Sequence, residues 1–210
     1  MKKKLSIPVA LILTVLLFSA CTSTSTPKVS RISADTQIDL SGRWNDADVR
    51  MVSESLINDC LGSLRVREFI QQYGSRNSGR LPACLVGSFK NDSSEHIDTS
   101  IIAKSMEIAI VNSGRMDFVA GGDTLTELRA ERQDQLGNAS EASAAALGNE
   151  TGAILLLTGT VKSIIDRAGN TSTRSYFVSA ELTNIETRAR LWMGENNEIK
   201  KVIRQSNYRP

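Results

Sequence analysis

Ile154-Leu155-Leu156-Leu157, continuing as a strongly apolar run to residue 165, is the stretch that commits this 210-residue chain to a sheet. Ala168-Gly169-Asn170 then supplies a turn signal, because Gly and Asn tolerate the backbone angles a tight reversal needs. On the return, Tyr176, Val178, Ala180 and Leu182 alternate with Phe177, Ser179, Glu181 and Thr183, the pattern of a strand with two differently buried faces. Residues 184–188 make a second reversal into a strand over 189–193. The block therefore reads as three antiparallel strands, followed by a polar tail whose only apolar contacts are Ile199, Val202 and Ile203.

Working outward, residues 82–89 read as a buried strand that ends in Lys90-Asn91-Asp92-Ser93-Ser94. Asp98 or Thr99 can cap a helix running to Ser113, with Ile102, Met106, Ala109 and Ile110 facing the core and Gly114 as its stop. A short strand over 115–120 follows. Gly121-Gly122-Asp123 opens a charged helix to about residue 136, anchored by Leu125 and Leu128, and Ser140 caps an Ala-rich helix that ends at Leu147-Gly148. Nearer the start, Asn45 and Asp48 stand in a capping-box-like spacing. Val49, Val52, Leu56, Ile57 and Cys60 then recur at helical intervals over residues 46–61, with Gly62 as a stop, and Val66, Phe69 and Ile70 mark a second helix over 64–73. Two strands joined through a helix should be parallel neighbours. The expectation is an α/β (α+β) domain, with a mixed sheet of four to five strands and helices packed on it.

The front of the chain sets a compartment. Lys2, Lys3 and Lys4 precede an apolar run over residues 5–18, and Ser19-Ala20 stand directly before Cys21. The run is too short, and too closely followed by polar sequence, for a transmembrane helix. Leu17-Phe18-Ser19-Ala20-Cys21 resembles a lipobox, in which the cysteine thiol is acylated and becomes the first residue of the mature protein. The alternative is an ordinary cleaved signal. The division expected is a signal peptide over 1–20, lipidated Cys21 and a flexible tether over 21–38, and one globular periplasmic domain over 39–210 with a polar C-terminal tail. Fully extended, the tether could reach about 60–70 Å, and as a relaxed coil it averages about 25 Å.

Charge and cysteine content narrow the functional classes. The whole chain carries +2, of which three positive charges lie in residues 1–20, so the remainder is −1. That leaves no electrostatic footprint for nucleic acid. Beyond Cys21 two cysteines remain, Cys60 and Cys84. An oxidising compartment permits a disulfide between them, and the alternative is a pair of buried free thiols. His96 is the single histidine, so any Ser-His-Asp or Cys-His mechanism would have to pass through it. Its neighbours Asp92, Ser93, Ser94 and Glu95 sit on one loop and cannot all converge on one reacting atom. One histidine and two separated cysteines match no closed zinc ligand set. Gly121-Gly122 lacks both a P-loop lysine and GxGxxG spacing. No catalytic residue, metal or cofactor is expected, and a protein-binding surface is the better reading.

Several short stretches carry a family resemblance. They are Leu40-Ser41-Gly42-Arg43-Trp44-Asn45-Asp46, Leu85-Val86-Gly87-Ser88-Phe89-Lys90-Asn91, Asn112-Ser113-Gly114-Arg115-Met116-Asp117-Phe118-Val119 and Gly148-Asn149-Glu150-Thr151-Gly152-Ala153. Leu182-Thr183-Asn184-Ile185-Glu186-Thr187, Leu191-Trp192 and Glu198-Ile199-Lys200-Lys201 close the set. In order and spacing, from about residue 39 to 201, they resemble the LpoB-type lipoproteins that activate class A penicillin-binding proteins. The resemblance implies a periplasmic domain related to the N-terminal domain of TolB-like proteins, an outer-membrane lipid anchor and a non-catalytic role. It also implies a peptidoglycan synthase as partner, stimulated in glycan polymerisation and peptide cross-linking. Thr22 after the cysteine resembles lipoproteins sent on to the outer membrane. Two departures stand out: Arg188 replaces a glycine usual in the last reversal, and the tether is short where the best-known activators carry a long Pro-rich linker. A diverged envelope scaffold of the same fold is the second reading, and an envelope hydrolase the third. For partner contact, the aromatic and Arg side chains of the terminal strands are the candidates, namely Arg174 and Tyr176; the alternative is that Tyr176 caps the core.

Overall fold

The computed structural model describes residues 29–33, 36–138 and 152–205. Cys21, the signal peptide, most of the tether and the helix placed after Ser140 lie outside the described residues. Two compact units divide the chain, Met1–Thr36 and Gln37–Pro210, and the helices and strands described below belong to the second.

Helix α1 spans Asp46–Gly62 and starts where the capping box predicts. The Asn45 side chain accepts from the Asp48 N–H at 3.1 Å while the Asp48 carboxylate accepts from the Asn45 N–H at 2.9 Å, which satisfies two otherwise orphaned donors. Its buried stripe contains Val49, Val52, Leu56, Ile57 and Cys60. Ser63 breaks the helix with extended backbone, and α2 follows at once over Leu64–Arg76. Strand β1 covers Ala83–Asn91, and helix α3 covers Ser100–Ser113. The Asp98 carboxylate accepts the Ser100 N–H at the start of α3, and Gly114 closes it at φ 60°. That left-handed angle carries no penalty for glycine.

Strand β2 is only Asp117–Phe118, shorter than the 115–120 expected, because the chain turns away toward helix α4 at Gly122–Asn138. Strands β3, Leu155–Ala168, and β4, Thr171–Asn184, form a long hairpin across the predicted Gly169-Asn170 turn. Strand β5 is Arg190–Asn196 and β6 is Lys200–Arg204. The segment read as a polar tail thus supplies a sixth strand, one more than the sequence suggested. Its two lysines hide an alternation that puts Ile199 and Lys201 inside.

The sheet runs β2-β1-β3-β4-β5, with β6 also on β4. β1 is parallel to β2 and β3, as the crossover rule requires, and the remaining pairs are antiparallel. β4 shares its outer edge between two short strands, β5 along 178–183 and β6 along 171–175. Leu157 pairs with Leu182, which pairs with Trp192, and Val161 pairs with Val178. All five side chains turn to one face, where α1 and α2 approach β5, α1 approaches β4 and α3 lies on β1. Burying each such aliphatic side chain contributes about 1.5–3 kcal/mol. Gly159 is required there, because a Cβ on it would fall 2.2 Å from the Phe89 ring. On the opposite face Thr158, Thr160, Ser179 and Glu181 are half-buried and Met193 is exposed; no described helix packs over these strands on that side.

Candidate functional site

Toward the Gly169 turn, the hairpin runs past the helices, and two irregular segments cover its inner face instead. The first is the loop after β1. Asn91 donates to the carbonyls of Glu95 and Ile97, Ser93 donates to Asn91, and the Ser94 N–H reaches Ser163 Oγ on β3. Those bonds fix Glu95 so that one carboxylate oxygen takes Arg174 at 2.5 Å and the Tyr176 hydroxyl at 3.0 Å. The ion pair is mostly shielded, with side-chain exposures of 15% for Arg174 and 11% for Glu95. Burial pushes the Tyr176 phenol up to about 12, and the adjacent Glu95 adds to the shift.

The second segment is residues 39–44. Trp44 meets the Tyr176 ring edge-on at 5.2 Å, an arrangement favoured by the ring quadrupoles. Gly42, at φ 64°, lies so close to Ile203 that a Cβ would sit 2.5 Å from that side chain. Lys201 of β6 clamps the segment down. Its ammonium donates to Asp39 at 2.7 Å, to the Arg43 carbonyl at 2.8 Å and to Asp48 at 2.6 Å, filling all three donors. Burial by itself disfavours the charged ammonium, yet the bonds to Asp39 and Asp48 outweigh it and raise the Lys201 pKa. The same contact from Lys201 lowers that of Asp39.

Of the two alternatives for Tyr176, partner contact or capping the core, the burial fits the second. Tyr176 is fully buried and is a core residue. Arg174 is held by Glu95, and only part of it borders a surface cleft. The structure does bring the two together, but around Glu95, which the sequence reading had placed only among loop neighbours of His96. Trp44 and Lys201 stand in the stretches that carry the resemblance, yet neither they nor Asp39 were given a role. Their partners lie 153 and 162 residues away for Lys201 with Asp48 and Asp39, a separation that no local pattern reports.

Cys60 on α1 and Cys84 on β1 are both buried free thiols, with no disulfide joining them. Burial pushes each up to about 12, and for Cys60 the neighbouring Cys84 adds to the effect. Both are therefore inert protonated thiols at neutral pH. His96 is exposed on its loop. Among the described residues no group of three or more His, Cys, Asp or Glu side chains converges as a metal site would, and no helix is long and apolar enough to cross a membrane.

Residues 48–198 match the family described as peptidoglycan-synthase activator LpoB. The chain belongs to the LpoB family. The match spans every described element of this family member except part of α1's first turn and strand β6. No curated protein sequence matches significantly. Among solved structures, the chain is similar to the LpoB C-terminal domain from Escherichia coli at 17% identity and TM-score 0.43, over 75% of this chain and 99% of that one. It is also similar to the NMR structure of E. coli LpoB, at 16% identity and TM-score 0.37 over 89% and 88% of the two chains. Lipoprotein GNA1162 from Neisseria meningitidis follows at 19% identity and TM-score 0.38, over 60% and 87%. It is the sequence match, and not these superpositions, that places the chain in the LpoB family.

Proposed function

We propose that this protein is a non-catalytic lipoprotein, anchored in the outer membrane through lipidated Cys21, whose periplasmic domain binds a class A penicillin-binding protein and stimulates its glycan polymerisation. The observation that carries the reading is the LpoB family match across residues 48–198. The lipobox-like Leu17-Phe18-Ser19-Ala20-Cys21 supports the anchor. Stimulation requires only a docking surface, consistent with a domain whose buried charges serve to close its own fold.

The direct test is to purify the full chain in detergent and assay it against the class A penicillin-binding proteins of its own source, measuring binding and the rate of glycan synthesis. Binding with acceleration is expected, and no binding across that panel would overturn the reading. Geometry adds a second check. Lengthening residues 22–38 should leave activation in cells intact, whereas deleting most of them should abolish it while the domain still folds. If the deletion is harmless, the tether is only an anchor.

The short tether favours one rival, an envelope scaffold of the same fold with a different partner. Crosslinking in cells separates the two, since a synthase either is or is not the main protein captured.

A further inference from the structure

A cleft of about 710 Å³ opens beside the hairpin turn, lined by Arg43, Arg167, Arg174, Ser172, Asn170 and Ile203 among others. Three arginines thus line it from three separate segments: the clamped stretch before α1, the end of β3 and the start of β4. On the paired strands Arg167 stands opposite Ser172, which stands opposite Ile203, so these share one face with Arg174 two residues on. Glu95 neutralises Arg174 alone. Arg43 and Arg167 are exposed, and neither guanidinium has a carboxylate partner among the described residues. Arg174 borders the cleft while its guanidinium holds Glu95, so the binding charge falls to the other two.

We propose that this cleft binds the free carboxylates of peptidoglycan stem peptides. Planar forks of N–H donors match carboxylate geometry, and the hydroxyl and amide lining suits a ligand made of amides, carboxylates and sugar hydroxyls. Two other anionic partners fit less well. A docked protein segment would be anchored by aromatic or aliphatic side chains, and Ile203 is the one bulky apolar residue of this lining. A membrane surface of anionic lipids is met by an excess of positive charge, whereas the chain beyond its first twenty residues carries −1 overall. The inference rests on the periplasmic location proposed above, but it needs no synthase to be observed, so the two readings fail separately.

The test is co-sedimentation of the full chain, in detergent, with purified sacculi. Wild type should pellet, and R43E/R167E should lower the affinity roughly tenfold or more, the loss expected for removing and reversing charge partners. The R65E control alters an exposed arginine on α2 and should pellet like wild type. Sacculi whose carboxylates have been amidated should bind neither protein. Circular dichroism of R43E/R167E guards against a folding defect, and soluble muropeptides should compete for wild type at equal ionic strength. No pelleting of wild type, or pelleting untouched by the double substitution or by amidation, overturns the proposal. So does a double substitution that abolishes binding to phosphatidylglycerol vesicles, or to a penicillin-binding protein, while sacculi are never bound.

Discussion

The β3–β4 hairpin is covered in two unlike ways along its length. Near its base, helices lie over Leu155, Leu157, Val178 and Leu182, and the contact is almost wholly apolar. Near its turn the same strands are covered by residues 39–44 and the loop at 92–95, through Lys201–Asp39–Asp48 and Glu95–Arg174–Tyr176. The base gains stability from area removed from water and accepts many aliphatic shapes. The clamped end gains definition from charges that each need a particular partner, and an unmatched buried charge there is worse than none. One hairpin thus combines a forgiving half with an exacting half.

Breaking the exacting half should have the largest effect. Lys201→Met leaves Asp48, whose side chain is 1% exposed, without its cation, and such a loss costs about 3–5 kcal/mol. Urea unfolding of the full chain measures it, and a loss below about 1 kcal/mol would mean that water replaces the clamp. The counterpart in the forgiving half is Leu182→Ala, at a fully buried position, with an expected cost of about 2–5 kcal/mol. Leu182→Met should cost under about 1.5 kcal/mol, whereas no replacement at Lys201 should be nearly neutral.

The contrast also explains what could be read in the sequence. Val49, Val52, Leu56, Ile57 and Cys60 announce α1 because apolar spacing is a local signal, and the Asn45–Asp48 box fixes its start for the same reason. Tyr176, Val178, Ala180 and Leu182 announce the inner face of β4 in the same way. Glu95 and Lys201 read as ordinary surface residues, since a charged side chain is buried only when a distant partner meets it. Strand β6 was missed on that account. The resemblance located the family correctly, while the choice between partner contact and core for Tyr176 stayed open in the sequence because alternation cannot say which irregular segment will fold over a strand.

Alkaline pH should distinguish the halves at intermediate magnitude. Groups whose folded pKa is raised hold their full stabilising contribution below the unfolded value and lose it as pH climbs toward the folded one. For Cys60 and Cys84, raised from 9.0 to about 12, the loss begins near pH 9. For Tyr176 and Lys201, whose ordinary values are 10.0 and 10.5 and are both raised, it begins a unit or more later. Across their shifts the two thiols and the Tyr176 phenol each remove up to about 1.4 kcal/mol per pH unit, and Lys201 acts in the same direction. Unfolding free energies between pH 8 and 11 should show that C60A/C84A delays the onset and that Lys201→Met flattens only the upper limb. Onset unchanged in the cysteine variant would show that its thiols are not the first groups to ionise.

The smallest expected effect lies at the two reversals of β4. The turn before it places Gly169 at φ 56°, and the reversal after it places Arg188 at φ 59°. The second reversal is held by its own bonds: Asn184 Oδ1 accepts the Thr187 N–H at 2.8 Å, and the Asn184 N–H donates to the Ala189 carbonyl at 2.8 Å. Those bonds fix the backbone irrespective of the residue at 188, so Arg188 carries a left-handed strain of roughly 1–2 kcal/mol. Glycine would remove the strain and add about 0.5–1 kcal/mol of unfolded-chain entropy. Arg188→Gly should therefore stabilise the protein by about 0.5 kcal/mol, whereas Gly169→Arg should destabilise it by a similar amount or more. A shift of the first variant toward instability would mean that the exposed Arg188 side chain makes a contact worth more than the strain it imposes.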